Sequence, residues 1–440
     1  MPTMKDLTKG YPAKVIILFA LPLLLGNIFQ QLYNITDSKI VSALVSSDAL
    51  AAVGATAVLS NAIIGFINGM TQGTAILIAK SFGAKDDKSL RNYMAGTIII
   101  TIIMAIVLTL LSELTIAPLL TLLRTPTRIY ASALAYVRII LMGIPFISLY
   151  NMCANSLRAV GDSKSPLICL IISVVLNIGL DFLLVTFMGI TGAAFATIIA
   201  QGISGIGCLL FLLIKYHVIL PRKGEWRLSK VQYSNLLPSG FSMALMGSIV
   251  SLGTIFLQSA INDLGPEYVT AHTAGRRVFD IMMILIYTFG ASMTTYVSQN
   301  YGAGEGARIR QGIRHAILID TCITTVLVAF TFLAGKPVVS WIASTSDTTI
   351  VDAGVLYIRV GILFFYVLGP LFILRCSLQG LGHKIVPLIS SGLELSIKIL
   401  SSLFLVPALG YLGVALTEPI SWVIMIIPLI ILYLAKRPAA

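Results

Sequence analysis

The residues of this chain that could do chemistry are few, and most are acids set in apolar runs. Asp37 follows Gln30 and Asn34 by seven and three residues, so the three share one helical face. Asn177 and Asp181 lie one helical turn apart within ICLIISVVLNIGLDFLLV. Carboxylate and amide oxygens are hard ligands of the kind small hard cations prefer. Two carboxyls held close together away from water could instead share a proton. Either ion suits these residues. A carboxylate at membrane depth costs about 2.5 to 3.5 kcal/mol on insertion scales, so each should face a cavity or the bundle interior. For Asp37 a second arrangement is open, at the outer interface beside Lys39.

Later in the chain the charges read differently. Glu394 and Lys398 are spaced to neutralise one another on one helical face, and in the run Arg276-Arg277 it is Arg277 that is expected to join Asp280 across one turn. With Glu418 they form a polar network of structural character. No HExxH, phosphate loop or CxxC is present.

The elements that position these residues are transmembrane helices. The chain has 440 residues, 57% hydrophobic and 11% charged, with a mean hydropathy of +0.94, far too few charges for a water-soluble surface of this size. Apolar runs long enough to cross about 30 Å of hydrocarbon recur along it. Twelve spans are predicted, at 14–43, 49–79, 92–117, 131–156, 165–187, 190–215, 232–262, 267–298, 312–334, 351–376, 386–408 and 411–435. The polar residues Gln30, Gln31, Asn34 and Asp37 interrupt the first run, and no cleavage site follows its core, so it is expected to be retained. Cys153, Cys169, Cys208, Cys322 and Cys376 lack metal-like or disulfide-like spacing and read as small apolar residues.

The net charge of +12 is distributed by side rather than gathered in a nucleic-acid-binding patch. Bases cluster before span 1 (Lys5, Lys9, Lys14) and after the even spans. Lys80, Lys85, Lys88 and Arg91 follow the second, Arg158 and Lys164 the fourth, and Lys215 through Lys230 the sixth. Arg308, Arg310 and Arg314, then Arg375 and Lys384, then Lys436 and Arg437 complete the series. By the positive-inside rule both termini are cytoplasmic, and no nucleic-acid partner is expected.

The chain also contains itself twice. At a constant offset of 221, Leu157, Gly161, Pro166, Gly189, Gly192 and Ala194 fall on Leu378, Gly382, Pro387, Gly410, Gly413 and Ala415, and Tyr136-Val137-Arg138 falls on Tyr357-Ile358-Arg359. The turns Ser81-Phe82-Gly83-Ala84 and Asn300-Tyr301-Gly302-Ala303 form a further pair, with Arg91 and Arg310 beyond them. The expected plan is all-α and integral to the membrane. Residues 1–214 form a first six-helix lobe, 215–231 a cytoplasmic linker and 232–440 a second lobe. Six spans per half give both halves the same orientation, related by a pseudo-twofold axis along the membrane normal.

In this order Leu21-Pro22, Gln30-Gln31-Leu32-Tyr33-Asn34, Asp37, Asp48 to Gly54, Leu157 to Asp162, Gly192 to Thr197, Gln299 to Gly304 and Leu378 to Gly382 resemble the multidrug and toxic compound extrusion (MATE) family. The resemblance implies two six-helix lobes that open alternately outward and inward in the plasma membrane. It implies export of cationic or amphipathic small molecules in exchange for Na⁺ or H⁺, with no further cofactor and a monomeric protein in the lipid bilayer. It places a cation or metal site, if the ion is Na⁺, at Asp37, Asn177, Asp181 and Thr197. Gln30, Asn34 and Asp37 are the candidates for substrate contact. The chain departs from the family at Ser42, where a glycine is usual, and span 7 lacks the acid that some members carry.

Two other readings are open to these residues. A flippase for lipid-linked sugars of the same superfamily would need cavity bases, for which Arg138, Arg277, Arg359 and Lys398 are candidates. Gly202-Ile203-Ser204-Gly205 and Ala271-His272-Thr273-Ala274-Gly275 mimic intramembrane serine-protease motifs, although such small-residue patterns are common where membrane helices pack.

Overall fold

The computed structural model describes residues 6–123 and 125–436. Lys5 and Arg437 of the charge pattern lie outside the described residues. The first half runs through α1 (Pro12–Leu44), α2 (Ser47–Gly83), α3 (Asp87–Leu122), α4 (Thr127–Met142), α5 (Ile144–Ala159), α6 (Lys164–Met188) and α7 (Ile190–Lys215). The second comprises α8 (Lys230–Asp263), α9 (Pro266–Gly302), α10 (Gly306–Ala343), α11 (Thr348–Leu363), α12 (Phe365–Gly380), α13 (Ile385–Leu400), α14 (Val406–Leu409) and α15 (Tyr411–Ala435). A π-helical turn, Ser401–Leu405, joins α13 to α14 as one continuous span.

Ten of these spans are long and apolar enough to cross a membrane by themselves, and two bent pairs supply the remaining crossings. The spans expected at 131–156 and 351–376 are these bent pairs. The first is α4 and α5, bent by 44°, and the second is α11 and α12, bent by 52°. The sequence marks only the first break, at Gly143-Ile144-Pro145, where proline removes a donor from the helical ladder. Both breaks use the same tight turn, in which Phe146 N donates to Gly143 O at 3.0 Å and Val367 N to Phe364 O at 2.9 Å.

Element bounds extend the repeat further than the sequence did. Shifted by 221, α4, α5 and α6 land on α11, α12 and the whole Ile385–Leu409 span. Gly189 and Gly410 share a φ of +60°, and Gly161 and Gly382 have φ of +86° and +92°, a region glycine enters without steric penalty. Upstream the offset is 219, since Gly83 matches Gly302 and Asp87 matches Gly306. The slip occurs within α10, which has 38 residues against 36 in α3.

The described residues pack as two compact units, one built mainly of Leu21–Ala244 and the other of Leu7–Ala20 with Leu245–Ala440. In the first, Ile78, Met94, Cys153, Leu157, Cys208 and Leu212 form a closed core. Leu114, Phe187 and Ile214 are more than three-quarters exposed, as hydrocarbon-facing side chains can be. The connection after α7 is tied down. Asp162 accepts from Tyr216 Oη at 2.7 Å, Ser165 Oγ at 2.6 Å and Lys215 Nζ at 3.3 Å. Burial pushes the Asp162 carboxyl up, but donors from Ser165, Tyr216 and Lys215 outweigh it and hold the group below its ordinary range. Arg91 on α3 grips Glu225 at 2.9 Å, and Ser229 with Gln232 forms a reciprocal capping box that starts α8. In the second unit the segment before α1 is docked on its own helices. Leu7 N donates to Gln299 Oε1 at 3.1 Å, and Arg308 Nη1 to Gly10 O at 2.9 Å.

Candidate ion site

In the first unit α6 turns Asn177 and Asp181 fully inward, with exposures of 1% and 0%. Asp37 on α1 is buried too, and its carboxyl faces that of Asp181 closely enough for a proton to bridge them. Its neighbour Lys39 is exposed, so the arrangement with Asp37 beside Lys39 at the interface is not the one adopted. Thr197 on α7 is the fourth member, and its Oγ1 lies 3.0 Å from Tyr33 Oη.

These groups have few donors among them. Asp37 Oδ1, both carboxyl oxygens of Asp181 and both side-chain polar atoms of Asn177 are buried without a hydrogen-bond partner among the described residues. Buried polar atoms are nearly always paired, so such a cluster points to something that completes it. A cavity of about 10 Å³, the room one water-sized body needs, adjoins them, lined by Gln30, Tyr33, Ser173, Asn177, Thr197 and Gln201. Two carboxylates and an amide oxygen fit a small monovalent cation, and the facing carboxyls fit a proton equally well. Among the described residues no group of three or more His, Cys, Asp or Glu could hold a metal.

The sequence-derived substrate residues separate. Gln30 lines the cavity and Asp37 is buried, but Asn34 is exposed and turns to Gln31 at 3.5 Å. At about 100° per residue, Asn34 and Asp37 fall on opposite sides of Gln30, and the inward side belongs to Tyr33 and Asp37. Two tyrosines were missed as site residues, Tyr33 and Tyr136, the latter on α4 within electrostatic reach of both acids. The one signal for Tyr136 was its match to Tyr357 in the repeat.

In the second unit the polar groups neutralise one another. Lys398 Nζ lies 2.8 Å from Glu394 and 3.9 Å from Glu418. Arg276 reaches Glu418 at 2.5 Å and Asp280 at 2.8 Å, and Tyr357 Oη donates to Glu418 at 3.3 Å. The expectation that Arg277 joins this network is corrected: Arg277 is exposed, because helix rotation turns its neighbour inward. Arg277 instead borders a cavity of about 240 Å³ with Gln258, His272, Thr273 and Arg276.

Of the four bases a flippase would use, Arg277 borders that cavity and the other three are engaged elsewhere. Arg138 lies 3.7 Å from Glu113, Arg359 donates to Phe332 O at 3.4 Å and Lys398 is paired. Ser204 is buried in the first unit, while His272 belongs to the second and stands edge-on to Tyr357 at 4.8 Å.

Comparison with known proteins agrees with this architecture. The family model MatE matches residues 22–183 and 238–404. A "Probable multidrug resistance protein YpnP" of Bacillus subtilis is 28% identical over 393 residues, covering 87% of this chain and 86% of its own. A second protein of that organism, "Probable multidrug resistance protein YoeA", is 28% identical over 384 residues, 85% of this chain and 82% of its own. A solved structure described as the outward-facing conformation of a multidrug resistance MATE family transporter aligns with a TM-score of 0.91 at 24% identity, over 99% of this chain and 98% of its own.

Proposed function

Because this chain belongs to the MatE family, whose members are multi-pass membrane transporters and not enzymes, we propose that it exports cationic or amphipathic small molecules in exchange for Na⁺ or H⁺. The single observation that carries the coupling half of this reading is the set of orphaned oxygens on Asp37, Asn177 and Asp181. A bound cation or proton supplies the positive charge that lets both acids stay enclosed. The residues themselves do the rest. Asp37 on α1 and Asp181 on α6 hold the ion between two helices, Asn177 and Thr197 complete the oxygen set, and Tyr33 fixes the Thr197 hydroxyl.

If the affinity for the ion differs between two conformations, its gradient drives the exchange of one for the other. Gln30 and Asp37 contribute to substrate contact from the same face, with Asn34 at the exposed rim. The protein acts as a monomer in the plasma membrane with both termini cytoplasmic, a reading that rests on the side preference of the basic residues. The polar network of the second unit is structural in this scheme, and the engagement of Arg138, Arg359 and Lys398 elsewhere favours small-molecule export over lipid flipping.

The experiment is transport of a cationic fluorescent dye by the purified protein in lipid vesicles, with Na⁺ and pH gradients imposed one at a time. One gradient should drive dye accumulation several-fold above the ungradiented level. Equal transport with and without either gradient overturns the coupling.

A further inference from the structure

Among the described residues, one buried acid within a membrane-spanning helix takes no part in either cluster. Asp320, on α10 of the second unit, is 1% exposed, and both its carboxyl oxygens are buried without a partner among the described residues. One turn along the same face, the Thr324 hydroxyl is likewise buried and unpartnered. The helix opposite makes room for the acid. Gly369 on α12 abuts the carboxyl so closely that a Cβ there would collide with it.

The repeat shows that the fold requires neither residue. At the offset of 219, which Arg91 and Arg310 and then Pro118 and Pro337 keep on either side of the acid, Asp320 corresponds to Thr101 and Thr324 to Ala105, and at the offset of 221 Gly369 corresponds to Ser148. An acid and a glycine thus replace a threonine and a serine, a paired change that fits a carboxyl into the helix contact.

Among the described residues no charged or titratable group on the helices packed against α10 hydrogen-bonds to or pairs with the Asp320 carboxyl. On α9, Arg276 and Asp280 pair with each other and Tyr287 packs on Phe372; on α11, Arg359 donates to Phe332 O. On α12, Tyr366 Oη meets Thr325 Oγ1 at 3.0 Å and Arg375 donates to Ser391. An ionised carboxylate with neither donor nor counter-charge is costly in apolar surroundings. One carboxyl and one hydroxyl are too few ligands for a metal ion, whereas a proton removes the charge outright.

We propose that Asp320 is a second proton-carrying site, housed in the second unit against Gly369, which takes up a proton when enclosed and releases it when transport exposes the α10–α12 contact. The inference rests on the ion-coupled transport reading for its role in the cycle, though not for the protonation itself.

Infrared difference spectroscopy of the full chain in lipid vesicles, between alkaline and acid buffer, tests the protonation. The wild type should show a carboxylic-acid carbonyl band that Asp320→Asn removes and that Asp37→Asn and Asp181→Asn leave in place. Asp320→Thr, which installs the residue of the first half, gives a second folded variant with the same expectation. In transport, both Asp320 variants should still accumulate dye while moving one proton fewer per substrate, counted with a pH-indicator dye outside the vesicles. A carbonyl spectrum unchanged in both variants, or a proton count equal to wild type, overturns the proposal. If wild-type efflux answers to no ion gradient, the coupling reading fails, and the infrared titration still decides whether Asp320 takes a proton.

Discussion

The two halves place polar groups at the same five repeat positions and resolve them in opposite ways. Tyr136, Ser173, Asn177, Asp181 and Thr197 of the first unit correspond, at the offset of 221, to Tyr357, Glu394, Lys398, Ser402 and Glu418 of the second. In the second the counter-charge is tethered: the Lys398 ammonium stands where Asn177 does and lies 2.8 Å from Glu394. In the first no cation is built in, and Asp181 keeps both oxygens without a partner. One scaffold thus carries a closed ion network on one side and an open acid site on the other. The fold fixes where polar groups stand, and the side chains decide whether those groups find partners within the protein.

The strongest way to break this contrast is to close the open site. Asp181→Asn should fold and express normally but lose gradient-driven dye efflux to background in vesicles matched for protein. Asp37→Asn should do the same, and the double variant should be no worse than either single one if both acids serve one ion. Wild-type coupling in Asp181→Asn would sink the first-unit site.

Opening the closed network should act on stability instead. Lys398→Ala strands Glu394 in a buried place and should destabilise the protein by about 3 to 5 kcal/mol, read from unfolding in detergent. Replacing both members, as Lys398→Met with Glu394→Leu, should recover most of that loss. A double variant as unstable as the single one would remove the pairing from the account.

The smallest effect is expected where the repeat diverges outside the membrane, at Asp162, whose counterpart is His383. Its carboxylate is held below its ordinary range by donors from Ser165, Tyr216 and Lys215, which outweigh burial. The stability it confers is therefore complete above its unfolded value of about 3.9 and is lost as pH falls through the lower folded value. Asp162→Asn should cost about 1.5 kcal/mol at neutral pH, and the gap to wild type should close in acid. A gap independent of pH would assign the effect to packing.

The amino-acid sequence by itself determined the membrane class, the twelve apolar stretches and the duplication, since these depend on run length, turn glycines and charge placement that act locally. It also placed Asn177 with Asp181 and Glu394 with Lys398, since the helical period alone puts residues four apart on one face. What it could not determine was the rotation of each helix about its axis, which packing sets. Arg276 and not Arg277 therefore enters the network, and Asn34 stays exposed while Tyr33 reaches Thr197. Asp320 looked ordinary in the run Ile319-Asp320-Thr321 because its isolation is a property of what surrounds it. The bend at Phe364 lacks the proline that marks its counterpart at Pro145, so packing sets it, whereas the π turn at Ser401–Leu405 is marked by Pro407 just beyond it, which has no N–H for the Leu403 carbonyl.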